Sequence, residues 1–323
     1  MLDILELTEN QSRQYIDAQA LMRAHADALV EAAQVRGSMI WREMRGVRYL
    51  IRTSAASAQK TIGPDSANTQ AIYARFMERK EAAAGRVKSL GARLEEQRKL
   101  NRLYAVGRAP NVIIKVLESL QKAGIAEQFL TVGTNAIYAY ESACGVRVGN
   151  DAMATRDMDL LFDTRRRTAF VSTLRRLDSS LLAVLRKADP SFRVLRDQLQ
   201  TAVNDDGYEI DIIRRTAKDG DPHPLRMSTS EDDLWAVQVS SGEKMVSGRR
   251  FGQSVVSASG HMAQMQTLHP LDFIRVKTEL SASPQRDPIK RPKDGLQARV
   301  VQSLWDQRGL QLVANIQSRP ESV

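Results

Sequence analysis

Thr155-Arg156-Asp157-Met158-Asp159-Leu160-Leu161-Phe162 decides how this chain is read. It is a short apolar strand with two carboxylates one residue apart. A strand alternates its side chains between faces, so Asp157 and Asp159 project from one side while Met158 points into a core. Carboxylates held side by side suit a hard divalent cation, which takes oxygen ligands. Two other stretches add weight. Upstream, Leu130-Thr131-Val132-Gly133-Thr134-Asn135 is an apolar strand running into a glycine turn and a helix. Downstream, Tyr208-Glu209-Ile210-Asp211-Ile212-Ile213 is a second apolar strand, with Asp211 placed to complete a three-carboxylate cluster. Singly these features read otherwise: D-x-D as a solvated strand end, Gly133 as a plain turn, Asp211 as a partner for Arg214 or Arg215. In this order, each beside an apolar strand, they read together as a phosphoryl-transfer site.

The rest of the composition sets bounds. At 323 residues, with 42% hydrophobic and 26% charged, the chain can bury a sizeable core and hold two or three structural units. The one cysteine, Cys144, cannot form an internal disulfide and reads as buried apolar filler. No run approaches the ~20 apolar residues of a membrane span, and the first residues lack a secretory pattern, so a reducing cytoplasm is the expected setting and no membrane partner is expected. His25, His223, His261 and His269 are scattered and form no zinc spacing. Neither a G-x-x-x-x-G-K-[ST] loop nor a G-x-G-x-x-G turn after a strand is present.

The net charge of +9 is regional. Between Arg36 and Arg108 there are 16 Lys and Arg against 6 Asp and Glu, so this stretch carries a surplus of +10. Such a surplus meets phosphates or simply solvates a helix face.

The expected fold class is α/β (α+β): a small mixed sheet flanked by helices, with helical N- and C-terminal parts. Residues 1–106 read as a basic helical region with a short hairpin. Tyr15, Leu21, His25 and Leu29 fall at helical spacing, Met39 to Ile51 reads as two strands around Arg45-Gly46, and Gly63-Pro64-Asp65-Ser66 starts a long helix. That helix carries a narrow seam, Ile72, Phe76, Ala83, Val87, Leu90 and Leu94, which favours packing within its own domain over a coiled-coil dimer. Residues 107–215 alternate helices and strands as a catalytic core, with helices over Val112–Ala123 and Thr134–Ala143 and strands ending at Val132, Phe162, Val203 and Ile213. Residues 216–323 hold a hairpin, Ser254–Val256 with Met262–Met265, and helices over Leu271–Leu280 and Asp294–Trp305 that complete the site.

Gly133-Thr134, then Asp157-x-Asp159, then Asp211 on a later strand, resemble the polymerase-β-like nucleotidyltransferase superfamily. The wider pattern is similar to a bacterial branch of stand-alone nucleotidyltransferase-domain proteins, through Tyr138-x-Tyr140-Glu141, Pro270 to Lys277 and Arg286 to Ala298. The resemblance covers roughly residues 60 to 305. Thr134 stands where the superfamily has serine, and the interval from Gly133 to Asp157 is longer than in minimal members, as an inserted loop carrying Arg147 would make it.

The resemblance implies a metal-dependent transfer of a nucleoside monophosphate from a nucleoside triphosphate to an acceptor hydroxyl. Asp157, Asp159 and Asp211 would be catalytic and would hold Mg²⁺ or Mn²⁺; such a cluster repels itself without a cation. Gly133 would let the backbone approach the triphosphate, Thr134 would add a hydroxyl, and Lys277 and Lys293 would meet phosphate as mobile point charges. Asp163 and Glu209 read as peripheral. The acceptor stays open among RNA or a tRNA end, a protein hydroxyl and a small molecule, and no protein partner is indicated. The competing reading is a non-catalytic nucleic-acid-binding or regulatory protein on the same scaffold, using the basic stretch with Trp41, Tyr49 and Tyr73 as stacking groups.

Overall fold

The computed structural model describes residues 2–54 and 57–317, with the backbone alone from 310 onward. Its contacts form two units. One is Arg13–Leu100; the other joins the N-terminal segment through Ser12 to the chain from Asn101 onward. The fold is mixed α+β, as the patterning implied.

After β1 (Ile4–Glu6), helix α1 (Glu9–Gln34) leads into a meander of β2 (Ser38–Met44), β3 (Val47–Thr53) and β4 (Gln59–Pro64), followed by α2 (Ala67–Leu103). Met44 pairs with Val47 across a two-residue loop in which Arg45 and Gly46 both have positive φ, the hairpin turn that suits the twist of the strands. The polar stretch that leads into Gly63-Pro64 forms β4, which takes in that dipeptide, so α2 begins only at Ala67. β4 is an edge strand with mostly exposed residues, so no apolar alternation marks it.

Helices α1 and α2 run antiparallel: Gln14 Nε2 donates to Gln97 Oε1 at 2.7 Å, and Arg86 meets Glu31 at 2.7 Å. Of the α2 seam, Phe76 is buried, with the Arg52 guanidinium of β3 4.2 Å from its ring, and the other five residues are half-buried. On α1 the buried stripe is Gln14, Tyr15, Ala18, Leu21 and Ala28, while the expected Leu29 is exposed. Two of the five buried residues are alanines and one is a glutamine, so little apolar contrast marks the stripe. Arg75, Arg79, Arg86 and Arg93 fall within about 40° of one another around α2 at helical spacing, and all four are exposed.

The second unit contains α3 (Asn111–Lys122), β5 (Phe129–Val132), a 3₁₀ turn (Gly133–Ala136), α4 (Ile137–Cys144), β6 (Val146–Val148), α5 (Asn150–Met153) and β7 (Asp157–Phe162). Then come α6 (Arg167–Arg176), α7 (Leu181–Arg186), β8 (Arg193–Leu195), β9 (Gln198–Val203), β10 (Glu209–Arg214), β11 (Leu225–Arg226) and β12 (Trp235–Gln238). It closes with α8 (Gly242–Ser247), the hairpin β13 (Arg250–Val256) and β14 (Met262–Leu268), α9 (Pro270–Ala282) and α10 (Arg291–Gln317).

The main sheet runs β11-β12-β10-β7-β5, with β9 on the free half of β10 and β8 beside β9. Strands β7 and β10 are parallel, and a parallel pair needs a long crossover, supplied here by α6, α7 and the β8–β9 ribbon. Their inner halves, Leu160 to Phe162 and Ile212 to Arg214, are buried on both faces.

The hairpin and helices after 216 share one continuous core with 107–215, through Met245, Phe251, Phe273 and Val301. Tyr140 ties them: its hydroxyl donates to the Leu268 carbonyl at 2.8 Å, and its ring lies 5.3 Å from Phe273. Cys144 is buried, and burial pushes its thiol up to about 12, as filler rather than nucleophile. The short strands β1, β6, β8, β11 and β12 carry no readable period. Among the described residues no helix is long and apolar enough to cross a membrane.

Candidate active site

Register brings the acids together. Asp211 of β10 is the direct partner of Asp159 on β7, and neighbouring strands lie about 4.8 Å apart. In a parallel pair, partnered residues share a face, so both carboxylates project to one side. Asp157, two residues earlier, projects with them. All three line a single cleft of about 490 Å³.

The glycine turn is placed by the strand on the other side. Val132, the last residue of β5, pairs with Asp159, so the chain turns beside the acids. Gly133 has φ of +68°, and a Cβ there would lie 2.4 Å from Asp159 Oδ2. Only glycine fits. The expected helix from Thr134 begins instead as a 3₁₀ turn, and α4 proper ends at Gly145, whose φ of +65° caps it. Asn135 holds the turn to β7 by donating to the Asp157 carbonyl at 2.5 Å.

The electrostatics follow from this crowding. Burial, then repulsion from Asp157 and Asp211, pushes Asp159 up to about 6, against the pull of Lys277 and Lys290. Asp211 is raised too, by burial first, while a hydrogen bond from Thr201 at 2.5 Å pulls it back. Asp157 accepts a close hydrogen bond from the Thr155 hydroxyl.

Two of the three acids are therefore turned toward threonines. Among the described residues no three Asp, Glu, His or Cys side chains are gathered into a ready metal cage. The donor chemistry nonetheless fits a hard divalent cation: all oxygen, partly buried, mutually repelling, and with nothing but glycine tolerated beside it.

The expected cations lie on the opposite wall but are not mobile. Lys277 of α9 is buried, with Nζ 2.7 Å from Asp294. Arg286 also meets Asp294, at 2.8 Å. Burial alone would raise Asp294, but Lys277 and Arg286 outweigh it and hold its carboxyl below the ordinary range. Lys293 donates to the Ala154 carbonyl at 2.5 Å; burial lowers its pKa and Asp157 partly restores it.

Thr134 Oγ1 accepts from Gln297 Nε2 at 3.0 Å. The reading of the sequence missed Arg286, Lys290, Asp294 and Gln297. Lys290, Lys293, Asp294 and Gln297 stand at i, i+3, i+4 and i+7, one helical stripe that faces the cleft, and that spacing was the available signal.

Other expectations fall outside the cleft. Asp211 pairs with neither nearby arginine, since Arg215 meets Asp221 at 2.7 Å and Arg214 meets His223 Nδ1 at 2.9 Å. Arg147 sits on β6, which pairs with β1, and donates to the Ala105 carbonyl. Asp163 is buried against Arg165 and Arg250. The remaining cleft wall is mixed: Ile213, Val239, Met245, Phe273 and Leu280 form an apolar patch, and Ser240, Ser241, Ser283 and Gln285 line the rest.

The site thus has an acidic pole on β7 and β10, a cationic pole on α9, α10 and the segment between them, and an apolar patch in a mixed wall. A nucleotide carries the matching chemistry in its phosphates and base. No match was found among curated proteins or solved structures. A family model described as Nucleotidyltransferase matches residues 111–318, more than half of the chain, and every cleft residue named above falls within that span. The chain therefore belongs to this nucleotidyltransferase family and is an enzyme that transfers nucleotidyl groups.

Proposed function

We propose that the enzyme is of the polymerase-β-like kind and moves a nucleoside monophosphate from a nucleoside triphosphate to an acceptor hydroxyl. The observation that carries this reading is the register pair Asp159–Asp211, with Asp157 on the same face and a turn beside them that admits only glycine. Bound Mg²⁺ or Mn²⁺, held by Asp157, Asp159 and Asp211, would neutralise phosphate charge and stabilise the attacking and leaving oxygens.

The chain's own residues do the rest. The Gly133 turn and the Thr134 hydroxyl donate to phosphate oxygens. Lys290, Lys293 and the Arg286–Asp294–Lys277 group set a positive potential along the triphosphate, and the apolar patch of the wall takes the base. The acceptor oxygen bonds to the α-phosphorus and pyrophosphate leaves with the electron pair of the broken P–O bond. The acceptor's proton passes to a cleft carboxylate; Asp211, raised by burial and held by Thr201, is suited to take it.

For the acceptor we favour RNA. The support is the surplus of +10 between Arg36 and Arg108 and the exposed arginine stripe on α2. The test supplies the enzyme with Mg²⁺ and each α-labelled nucleoside triphosphate in turn, together with total RNA, cell protein or no acceptor. Label should enter RNA with wild type and stay in free nucleotide with Asp211→Asn. Incorporation equal in both would sink the site; label in protein would move the acceptor.

A further inference from the structure

Gln297 lies two turns into α10 and is fully buried. Its amide nitrogen is 2.8 Å from the Ala152 carbonyl oxygen and 3.0 Å from Thr134 Oγ1. A backbone carbonyl can only accept, so Ala152 decides which end of the amide is nitrogen. Both amide hydrogens are then committed, one to Ala152 and one to Thr134.

The consequence falls on the threonine. A hydroxyl has one hydrogen and two lone pairs. With a lone pair of Oγ1 engaged by Gln297, the hydrogen must point away from the amide. Thr134 lines the cleft, and the bond from Gln297 is the one its hydroxyl makes among the described residues. Left alone, a threonine hydroxyl in a helical turn tends to donate back to a carbonyl of the preceding turn. Gln297 opposes that.

A second observation concerns cost. Gln297 Oε1 is buried and has no hydrogen-bond partner among the described residues. An unpaired buried acceptor is destabilising; an apolar side chain of the same length would avoid it, at the cost of leaving the Ala152 carbonyl without this donor.

We propose that Gln297 is a positioning residue: it fixes the Thr134 hydroxyl as a donor aimed at a phosphate oxygen of the bound nucleoside triphosphate. The two residues are 163 positions apart, so α10 reaches across the cleft to set the hydrogen-bonding sense of the glycine turn. The inference rests on the reading of the cleft as the nucleotide site.

The test needs no knowledge of the acceptor. Equilibrium binding of an α,β-methylene nucleoside triphosphate analogue with Mg²⁺ is measured on the full chain for wild type, Gln297→Met, Thr134→Val and the double variant. Gln297→Met should bind about tenfold more weakly, the loss of one hydrogen bond to a charged group. Gln297→Met also takes the donor from the buried Ala152 carbonyl, so its melting temperature should fall, and binding is compared at a temperature where every variant is folded.

In the Thr134→Val background the same change should cost nothing further, because the hydroxyl it acts through is gone. In Thr134→Ser, which keeps a hydroxyl, the tenfold loss should return. Gln297→Glu keeps the shape and reverses the bond, accepting the hydroxyl hydrogen; it should bind more weakly than Gln297→Met and serves if that variant fails to fold.

Equal losses with and without the Thr134 hydroxyl would overturn the proposal, and so would wild-type affinity in Gln297→Glu. A wild type that fails to bind the analogue removes the nucleotide reading of the cleft and this inference with it. That failure is visible before any substitution is made.

Discussion

Replacing Asp159 by Asn should make the metal-free protein more stable at neutral and alkaline pH while removing its transferase activity. Burial and two neighbouring carboxylates push Asp159 from an ordinary 3.8 to about 6. At 1.36 kcal/mol per tenfold change, that corresponds to about 3 kcal/mol between the ionised side chain in the fold and in the unfolded chain. The folded state therefore binds more protons than the unfolded state between about pH 4 and 6. Stability is highest below that window, falls as pH rises through it, and carries the full penalty above it.

Asparagine cannot ionise, so both slope and penalty go. For a unit of this size each kcal/mol moves the melting temperature by roughly 2–4 °C. Asp159→Asn should then melt up to about 6–12 °C above wild type at pH 8 in a chelator, with the two curves converging near pH 4. Adding Mg²⁺ at pH 8 should raise the wild type and leave the variant behind, since a bound cation relieves the same repulsion. A wild type at least as stable as the variant at pH 8 without metal would refute the reasoning, and so would a gap that persists unchanged at pH 4.

Three further outcomes are expected. Gly133→Ala should cost at least about 1 kcal/mol for its left-handed backbone, displace Asp159 from the clash at 2.4 Å, and abolish nucleotide transfer; retained transfer would show that the turn has room to spare. Asp294→Asn leaves Lys277 buried without its carboxylate and should lose about 3–5 kcal/mol in denaturant unfolding, whereas Lys277→Met with Asp294→Leu should recover most of it; an unchanged midpoint in the single variant would contradict the buried pair. RNA affinity should fall steeply with salt, and changing Arg75, Arg79, Arg86 and Arg93 together to Gln should weaken it and flatten the slope; affinity indifferent to both leaves α2 a solvated surface.

Much of the acidic pole was legible in the linear chain. Asp157-Met158-Asp159 and Ile210-Asp211-Ile212 announce their own faces, because a strand's period of two is a local property and apolar neighbours mark which side is core. Gly133 was legible for a similar reason, since a glycine ending an apolar strand marks a turn. The polar edge strand β4 and the full buried stripe of α1 were not, because exposure on both faces erases alternation and Gln14, Ala18 and Ala28 carry little apolar contrast.

The cationic pole was only half visible. Lys277 and Lys293 were readable as charges, but that Lys277 is tied to Asp294, and Thr134 to Gln297, depends on how α9 and α10 return to the sheet. Sequence by itself determined which residues could face which side of each strand and helix, because those preferences arise from sterics within a few residues. Only the tertiary structure decided which faces meet, which carboxylate is crowded to a pKa near 6, and which cation is already spent on a partner. Those follow from contacts between segments far apart in the chain, which packing of the whole core selects and no local pattern encodes.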